Sequence, residues 1–214
     1  MNFTLAFAPA AVYPRRAFRA YSEPVMPRDA GALDEDLMLA YARGSVDAFE
    51  TLYRRHKGPL YRYLLRQCRD SATAEELFQD IWANLVRARA SYTVTARFTT
   101  YLYRLAHNRL IDHYRRSAPA AMASFDDEDA ALPEPASPAY EQPDAAYASK
   151  TQAARLLELL RDLPEAQREA FVLQHEAGMS LEEIAEATGV NRETAKSRLR
   201  YAMAKLRAGM QGWL

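Results

Sequence analysis

Residues 180–207 read SLEEIAEATGVNRETAKSRLRYAMAKLR, and the order of residue types in that stretch decides how the C-terminal part of the chain folds. Ser180 followed three residues on by Glu183 is a capping box, in which two orphan amides at a helix start are satisfied reciprocally. The helix it opens ends at Gly189, which takes the left-handed conformation without a Cβ clash. Asn191 then caps a second helix that runs to about Ala208. Small Ala185 lets the two helices cross closely, and Ile184, Val190 and Leu199 fill the crossing, so the stretch predicts a helix-turn-helix. Ala195 brings no aliphatic branch to that crossing, which predicts looser packing around it.

A helix-turn-helix lays the N-terminal part of its second helix along base edges in the major groove. This sequence puts Arg192, Glu193, Thr194, Lys196, Ser197, Arg198 and Arg200 there. Arginine grips guanine bidentately, glutamate accepts from cytosine, and the helix N-terminus favours a nearby phosphate. Lys205 and Arg207 come later and suit backbone phosphates. From Val190 onward the chain carries 6 basic residues against 1 acidic, whereas residues 149–189 carry 4 against 8. That contrast sets the helix apart from an ordinary amphipathic one with a solvated basic face.

Upstream of the motif, Leu156, Leu157, Leu159 and Leu160 restore a helical period, Leu163-Pro164 breaks and restarts it, and Gly178 ends the next helix. Before that, residues 117–148 hold 7 acidic side chains, no basic one, and much Ala and Pro. Such a composition buries too little apolar surface to offset ordering entropy, so it reads as a flexible linker. Asp126, Asp127, Glu128 and Asp129 form a solvated charge run within it, and no metal is assigned.

Residues 34–116 carry 14 basic and 10 acidic side chains and show apolar stripes over Asp34–Gly44, Ser45–Arg69 with a possible kink at Gly58-Pro59, Thr73–Arg89 and Thr99–Arg116. In the third segment Thr73 and Glu76 read as a capping box, and Leu77, Phe78, Ile81, Trp82, Leu85 and Val86 form a stripe that must be buried. The fourth belongs to FTTYLYRLAHNRLIDHYRR, Phe98–Arg116, where aromatics alternate with arginines. Unstacked bases stack on aromatic faces while arginine neutralises the strand, so this mixture suits single-stranded nucleic acid. Phe98, Tyr101, Leu102 and Leu105 read equally well as core. Residues 1–33, with Pro9, Pro14, Pro24 and Pro27, lack helical period and read as a disordered arm, and Met26 is an alternative start to Met1.

With 28 basic and 28 acidic residues the chain is neutral on average, and that average conceals two basic blocks and an acidic tract. Seven glycines among many Ala, Leu, Arg and Glu favour helix throughout. The expectation is an all-α protein of two small helical domains, at 34–116 and 149–214. A single Cys68 excludes an internal disulfide and fits a reducing compartment, and no apolar run is long enough to span a membrane, so cytoplasmic localisation is expected.

Taken in order, these stretches resemble the extracytoplasmic-function (ECF) class of bacterial sigma factors, which keep sigma regions 2 and 4. AEELFQDIW, Ala74–Trp82, is similar to the region 2.2 motif that docks on the β′ clamp helices of RNA polymerase. The resemblance implies polymerase contacts by Glu75, Glu76, Gln79 and Asp80. Phe98–Arg116 resembles regions 2.3 and 2.4, implying that Phe98, Tyr101, Tyr103, Arg104, Asn108, Arg109, Asp112, Arg115 and Arg116 recognise and open the minus-10 element. Tyr101 stands where the family usually has Trp. LPEAQREAFVL, Leu163–Leu173, and the helix-turn-helix resemble region 4, which reads the minus-35 element and meets the β flap. Implied partners are core RNA polymerase, promoter DNA and an anti-sigma factor, with no cofactor, no metal, no membrane insertion and no catalysis. Two other readings stand beside this one: a dimeric helix-turn-helix regulator of duplex DNA, and a helical hydrolase using Asp112 with His107 or His113. On a helix the two histidines diverge by about 120 degrees and cannot share one metal from one face.

Overall fold

The computed structural model describes residues 31–68, 70–117 and 145–211. The arm expected at 1–33, apart from its last three residues, and most of the linker expected at 117–148 therefore lie outside the described residues. Among the described residues eight α-helices follow one another: α1 (Asp34–Ala42), α2 (Val46–Cys68), α3 (Ser71–Ala88), α4 (Phe98–Ser117), α5 (Ala145–Asp162), α6 (Glu165–His175), α7 (Leu181–Thr188) and α8 (Arg192–Met210). A 3-10 turn, Arg89–Ser91, leads out of α3. No strand occurs among the described residues, as the all-α expectation requires. Helix α5 begins at Ala145, inside the stretch expected to be linker.

The periodic stripes become the core. Met38, Leu52, Leu60, Leu64, Leu77, Ile81, Leu85, Phe98 and Leu102 are fully buried, drawing on each of α1 to α4. The rings of Tyr53, Phe78 and Trp82 meet edge-on inside this cluster, with Tyr53 and Trp82 centroids 4.9 Å apart. That arrangement sets the positive ring edge of one against the negative face of the next. Pro59 sits inside α2, which continues through it. The start of α3 differs from the expected Thr73–Glu76 capping box. Asp70 is the cap, accepting from the Thr73 amide at 2.8 Å, and the helix begins at Ser71. Both arrangements satisfy first-turn amides, and a carboxylate three residues earlier does so with full charge.

Among the C-terminal helices, Leu160 and Leu163 from α5 and its end pack on Ala202 and Leu206 of α8. Gly209 lies so close to Leu159 that a Cβ there would strike its side chain. The helix-turn-helix is built as its sequence dictates. Ser180 and Glu183 close the capping box at 3.2 and 2.8 Å. Gly189 sits at φ 69°, ψ 25°, and Val190 donates back to the Ala185 carbonyl at 3.0 Å. Asn191 caps α8 through the Thr194 amide at 2.7 Å. Ile184 and Ala195 are buried in the crossing, and Val190 and Leu199 are half-buried there.

The two sets of helices are packed on each other. One continuous apolar cluster runs from Met38 to Ala195, α4 lies against α7, and α2 lies against α6. At the contact Arg168, only 1% exposed, is held by neutral acceptors: Gln67 Oε1 at 3.2 Å, the Gln67 carbonyl at 3.4 Å, the Leu163 carbonyl at 3.1 Å and the Arg161 carbonyl at 3.4 Å. A guanidinium is the one cation whose planar array of five donors can satisfy several carbonyls at once.

Candidate nucleic-acid interface

The cap at Asn191 and the turn at Gly189 aim the first two turns of α8 outward. Arg192, Glu193, Lys196 and Arg200 are exposed, Thr194, Ser197 and Arg198 are half-buried, and Ala195 is the side on which the helix rests. Arg192 is tied by its Nε to Glu182 at 2.5 Å and by an η nitrogen to Glu193 at 3.4 Å. The hydrogen bond from Arg192 holds the Glu182 carboxyl below its usual range, and the same bond raises the guanidinium of Arg192. Lys196 stands 3.5 Å from Glu193. These exposed pairs are weak and screened by salt, so they yield readily to a phosphate or a base edge.

Helix α4 separates its residues into two faces. Phe98, Leu102, Tyr103, Ala106 and Leu110 form the buried stripe. Arg104, Asn108, Asp112, Arg115 and Arg116 are exposed on the other side, and Arg109 is half-buried. An open depression along that side is lined by His107, Asn108, Ile111, Asp112 and Arg115. Two residues expected to meet unpaired bases do not face solvent: Phe98 is fully buried and Tyr103 is 2% exposed, its ring set edge-on to Tyr63. Burial pushes the Tyr103 hydroxyl well above its ordinary value. The competing reading as core holds for Phe98, and Tyr103, which that reading did not include, is core as well. Tyr101 is half-buried, its ring 5.1 Å from that of Tyr92.

On α3, Glu76 is exposed and Glu75, Gln79 and Asp80 are half-buried, while Leu77, Ile81 and Leu85 turn into the core. Asp80 does not stand alone. Its Oδ2 accepts from Arg109 Nε at 2.8 Å and from a second Arg109 nitrogen at 2.5 Å, a link between α3 and α4. Residues that sequence reasoning assigned to two separate partners are thus joined to each other.

Sequence reasoning missed the residues that join the two sets of helices. Glu169 accepts from the Tyr63 hydroxyl at 2.5 Å and lies 2.9 Å from His107 Nδ1. Burial, and then the Glu169 charge, drive the Tyr63 hydroxyl far above the ordinary tyrosine value. The acidic excess of residues 149–189 was the available signal, but a charge count names no partner.

Known proteins share this architecture and sequence. The Sigma-70 region 2 family matches residues 52–119, and the Sigma-70 region 4 family matches residues 153–206. The RNA polymerase sigma factor CarQ of Myxococcus xanthus is 33% identical over 171 residues, covering 79% of this chain and 93% of that protein. The chain belongs to the ECF class of RNA polymerase sigma factors. Its function is that of the class, promoter recognition in transcription initiation. A second ECF member, SigM of Mycobacterium tuberculosis strain H37Rv, is 30% identical over 181 residues, covering 85% of this chain and 86% of SigM. Among solved structures, that of CnrH in complex with the cytosolic domain of CnrY superposes with a TM-score of 0.60 at 23% identity, covering 84% of this chain and 97% of that one. The sigma factor RpoE of Bartonella quintana, solved with the anti-sigma factor NepR, gives 0.57 at 21%, covering 78% and 98%. At that identity the two structures speak for the fold. No helix among the described residues is long and apolar enough to cross a membrane.

Proposed function

We propose that this sigma factor works by lending binding energy rather than by catalysis, dividing promoter recognition between α8 and α4 while α3 faces core RNA polymerase. The observation that carries the reading is the outward start of α8, capped by Asn191 through the Thr194 amide. It presents Arg192, Glu193, Thr194, Lys196, Ser197, Arg198 and Arg200 on a helix that rests on buried Ala195. That geometry suits the major groove of the minus-35 element.

The exposed side of α4, with Arg104, Asn108, Asp112, Arg115 and Arg116 flanked by Tyr101 and Arg109, takes the single strand of the minus-10 element. Each base that leaves the duplex is retained by stacking or a hydrogen bond, so opening is driven by trapping. Glu75, Glu76, Gln79 and Asp80 on α3 supply the polar contacts to the β′ clamp helices, and the C-terminal helices meet the β flap. Two weak DNA contacts on one chain reinforce each other once the polymerase fixes their separation. Work in the cytoplasm, restraint by an anti-sigma factor and freedom from any cofactor complete the reading. Solved relatives held by partner proteins support the anti-sigma element.

Arg198→Ala or Arg192→Ala is expected to cost about 1–3 kcal/mol at individual minus-35 base pairs and to shift sequence preference. Binding to a library of minus-35 variants measures this. Equal weakening on every sequence would contradict direct readout.

A further inference from the structure

Both partners of the Arg192–Glu182 pair stand on fixed backbone. The capping box of Ser180 and Glu183 sets the first turn of α7, in which Glu182 lies. The Asn191 cap sets the first turn of α8, which Arg192 opens. The left-handed turn at Gly189 fixes the angle between the two helix starts, so a carboxylate and a guanidinium ten positions apart meet at 2.5 Å. Glu182 takes the Nε of Arg192, which leaves both terminal η nitrogens, the pair that forks onto guanine O6 and N7, uncommitted to that carboxylate. The η contact to Glu193 is longer, at 3.4 Å, and Lys196 stands 3.5 Å from that same carboxylate on its far side chain oxygen.

Attraction to DNA gives no reason for a carboxylate at this place. Beside a polyanion Glu182 repels phosphates and lowers sequence-independent affinity. The hydrogen bond from Arg192 holds its carboxyl below the usual range, so it carries full charge at neutral pH. The capping box does not use it, since Glu183 closes that box. Its remaining structural use is as an acidic residue near the positive end of α7, a role that does not depend on Arg192.

We propose that Glu182 is a positioning residue for promoter recognition, holding Arg192 by its Nε so that the terminal fork of the guanidinium is aimed at one base pair of the minus-35 element. The proposal rests on the assignment of α8 to that element. An arginine that moves freely over the surface must be immobilised when it grips a base, whereas one already held loses less freedom on binding. Glu182 and Arg192 are 63% and 53% exposed, so salt screens their bond in the free protein. Docking on DNA excludes water from around the pair, and the lower local dielectric strengthens the bond when the base is being read. Glu182 thus lowers general affinity for DNA while sharpening the choice of sequence.

The test uses holoenzyme assembled from purified core RNA polymerase and the full-length chain, on promoters randomised over the minus-35 element with the minus-10 element kept constant. The chain is compared unmodified, as Arg192→Ala, Glu182→Ala and Glu182→Asp, and as Glu182→Ala combined with Arg192→Ala, with circular dichroism reporting that each is folded. Arg192→Ala should mark the base pair that Arg192 reads. Glu182→Ala should lower preference at that same base pair about 3- to 10-fold and raise binding to unrelated DNA at low salt. Glu182→Asp keeps the charge but is one methylene too short, so preference should fall with no gain on unrelated DNA. The double variant should show the preference of Arg192→Ala alone, because Glu182 acts through Arg192. Preference unchanged in both Glu182 variants, lowered evenly at every position, or lowered further in the double variant would overturn the proposal while leaving the reading of α8 intact. An Arg192→Ala chain with unaltered preference at every base pair would remove Arg192 from base reading and the proposal with it.

Discussion

Arg168→Ala is expected to lower unfolding stability by about 3 kcal/mol or more, and the melting temperature by roughly 10 °C. The guanidinium is buried, and the carbonyls of Gln67, Arg161 and Leu163 together with Gln67 Oε1 accept from it. Alanine withdraws these donors at once and leaves a cavity at the contact between α2 and α6. Lysine restores the charge but not the planar fork, so Arg168→Lys should recover only a small part of the loss. Thermal unfolding followed by circular dichroism measures both. A change within 0.5 kcal/mol, the typical spread of surface substitutions, would show that the side chain is not the tie between the two sets of helices described above.

Tyr101→Ala combined with Asn108→Ala is expected to slow promoter opening by about 10- to 100-fold, while binding to the closed promoter changes little. The size follows from stacking, worth about 1–3 kcal/mol per base. Both residues lie along α4, Asn108 exposed and Tyr101 half-buried, so they remove strand contacts while leaving the fully buried stripe intact. Tyr103 cannot serve as such a probe, because at 2% exposure its loss empties the core instead. Permanganate reactivity of the promoter thymines in a complex with core polymerase is the readout. Unchanged reactivity would contradict the role of α4 in holding the opened strand.

Local chemistry explains which parts of the molecule were legible beforehand. The segment from Ser180 to Thr194 carries its own instructions, since each cap and the left-handed glycine involve residues no more than five positions apart. The stripe of α3 was legible for the same reason, because a 3.6-residue period needs no distant partner. The cap of α3 was misread because Asp70-x-x-Thr73 and Thr73-x-x-Glu76 both satisfy the local rule, and only the fold chooses. On α4, alternating aromatics and arginines suggested one mixed surface. The helical period instead places Phe98, Leu102, Tyr103, Ala106 and Leu110 on one side and Arg104, Asn108 and Asp112 on the other. The packing of Tyr63 on Glu169 and of Arg66 on Glu176 joins residues 106 and 110 positions apart, beyond the reach of any periodic pattern.

The central claim is that two helical DNA-binding faces on one chain act through a polymerase that holds them in register. Transcription in vitro with purified core RNA polymerase, this chain and a library of promoters tests it most directly. The account predicts a stable complex with core enzyme and initiation confined to promoters sharing one minus-35 and one minus-10 sequence. Core enzyme that neither binds the chain nor gains any start-site selectivity from it would contradict the account.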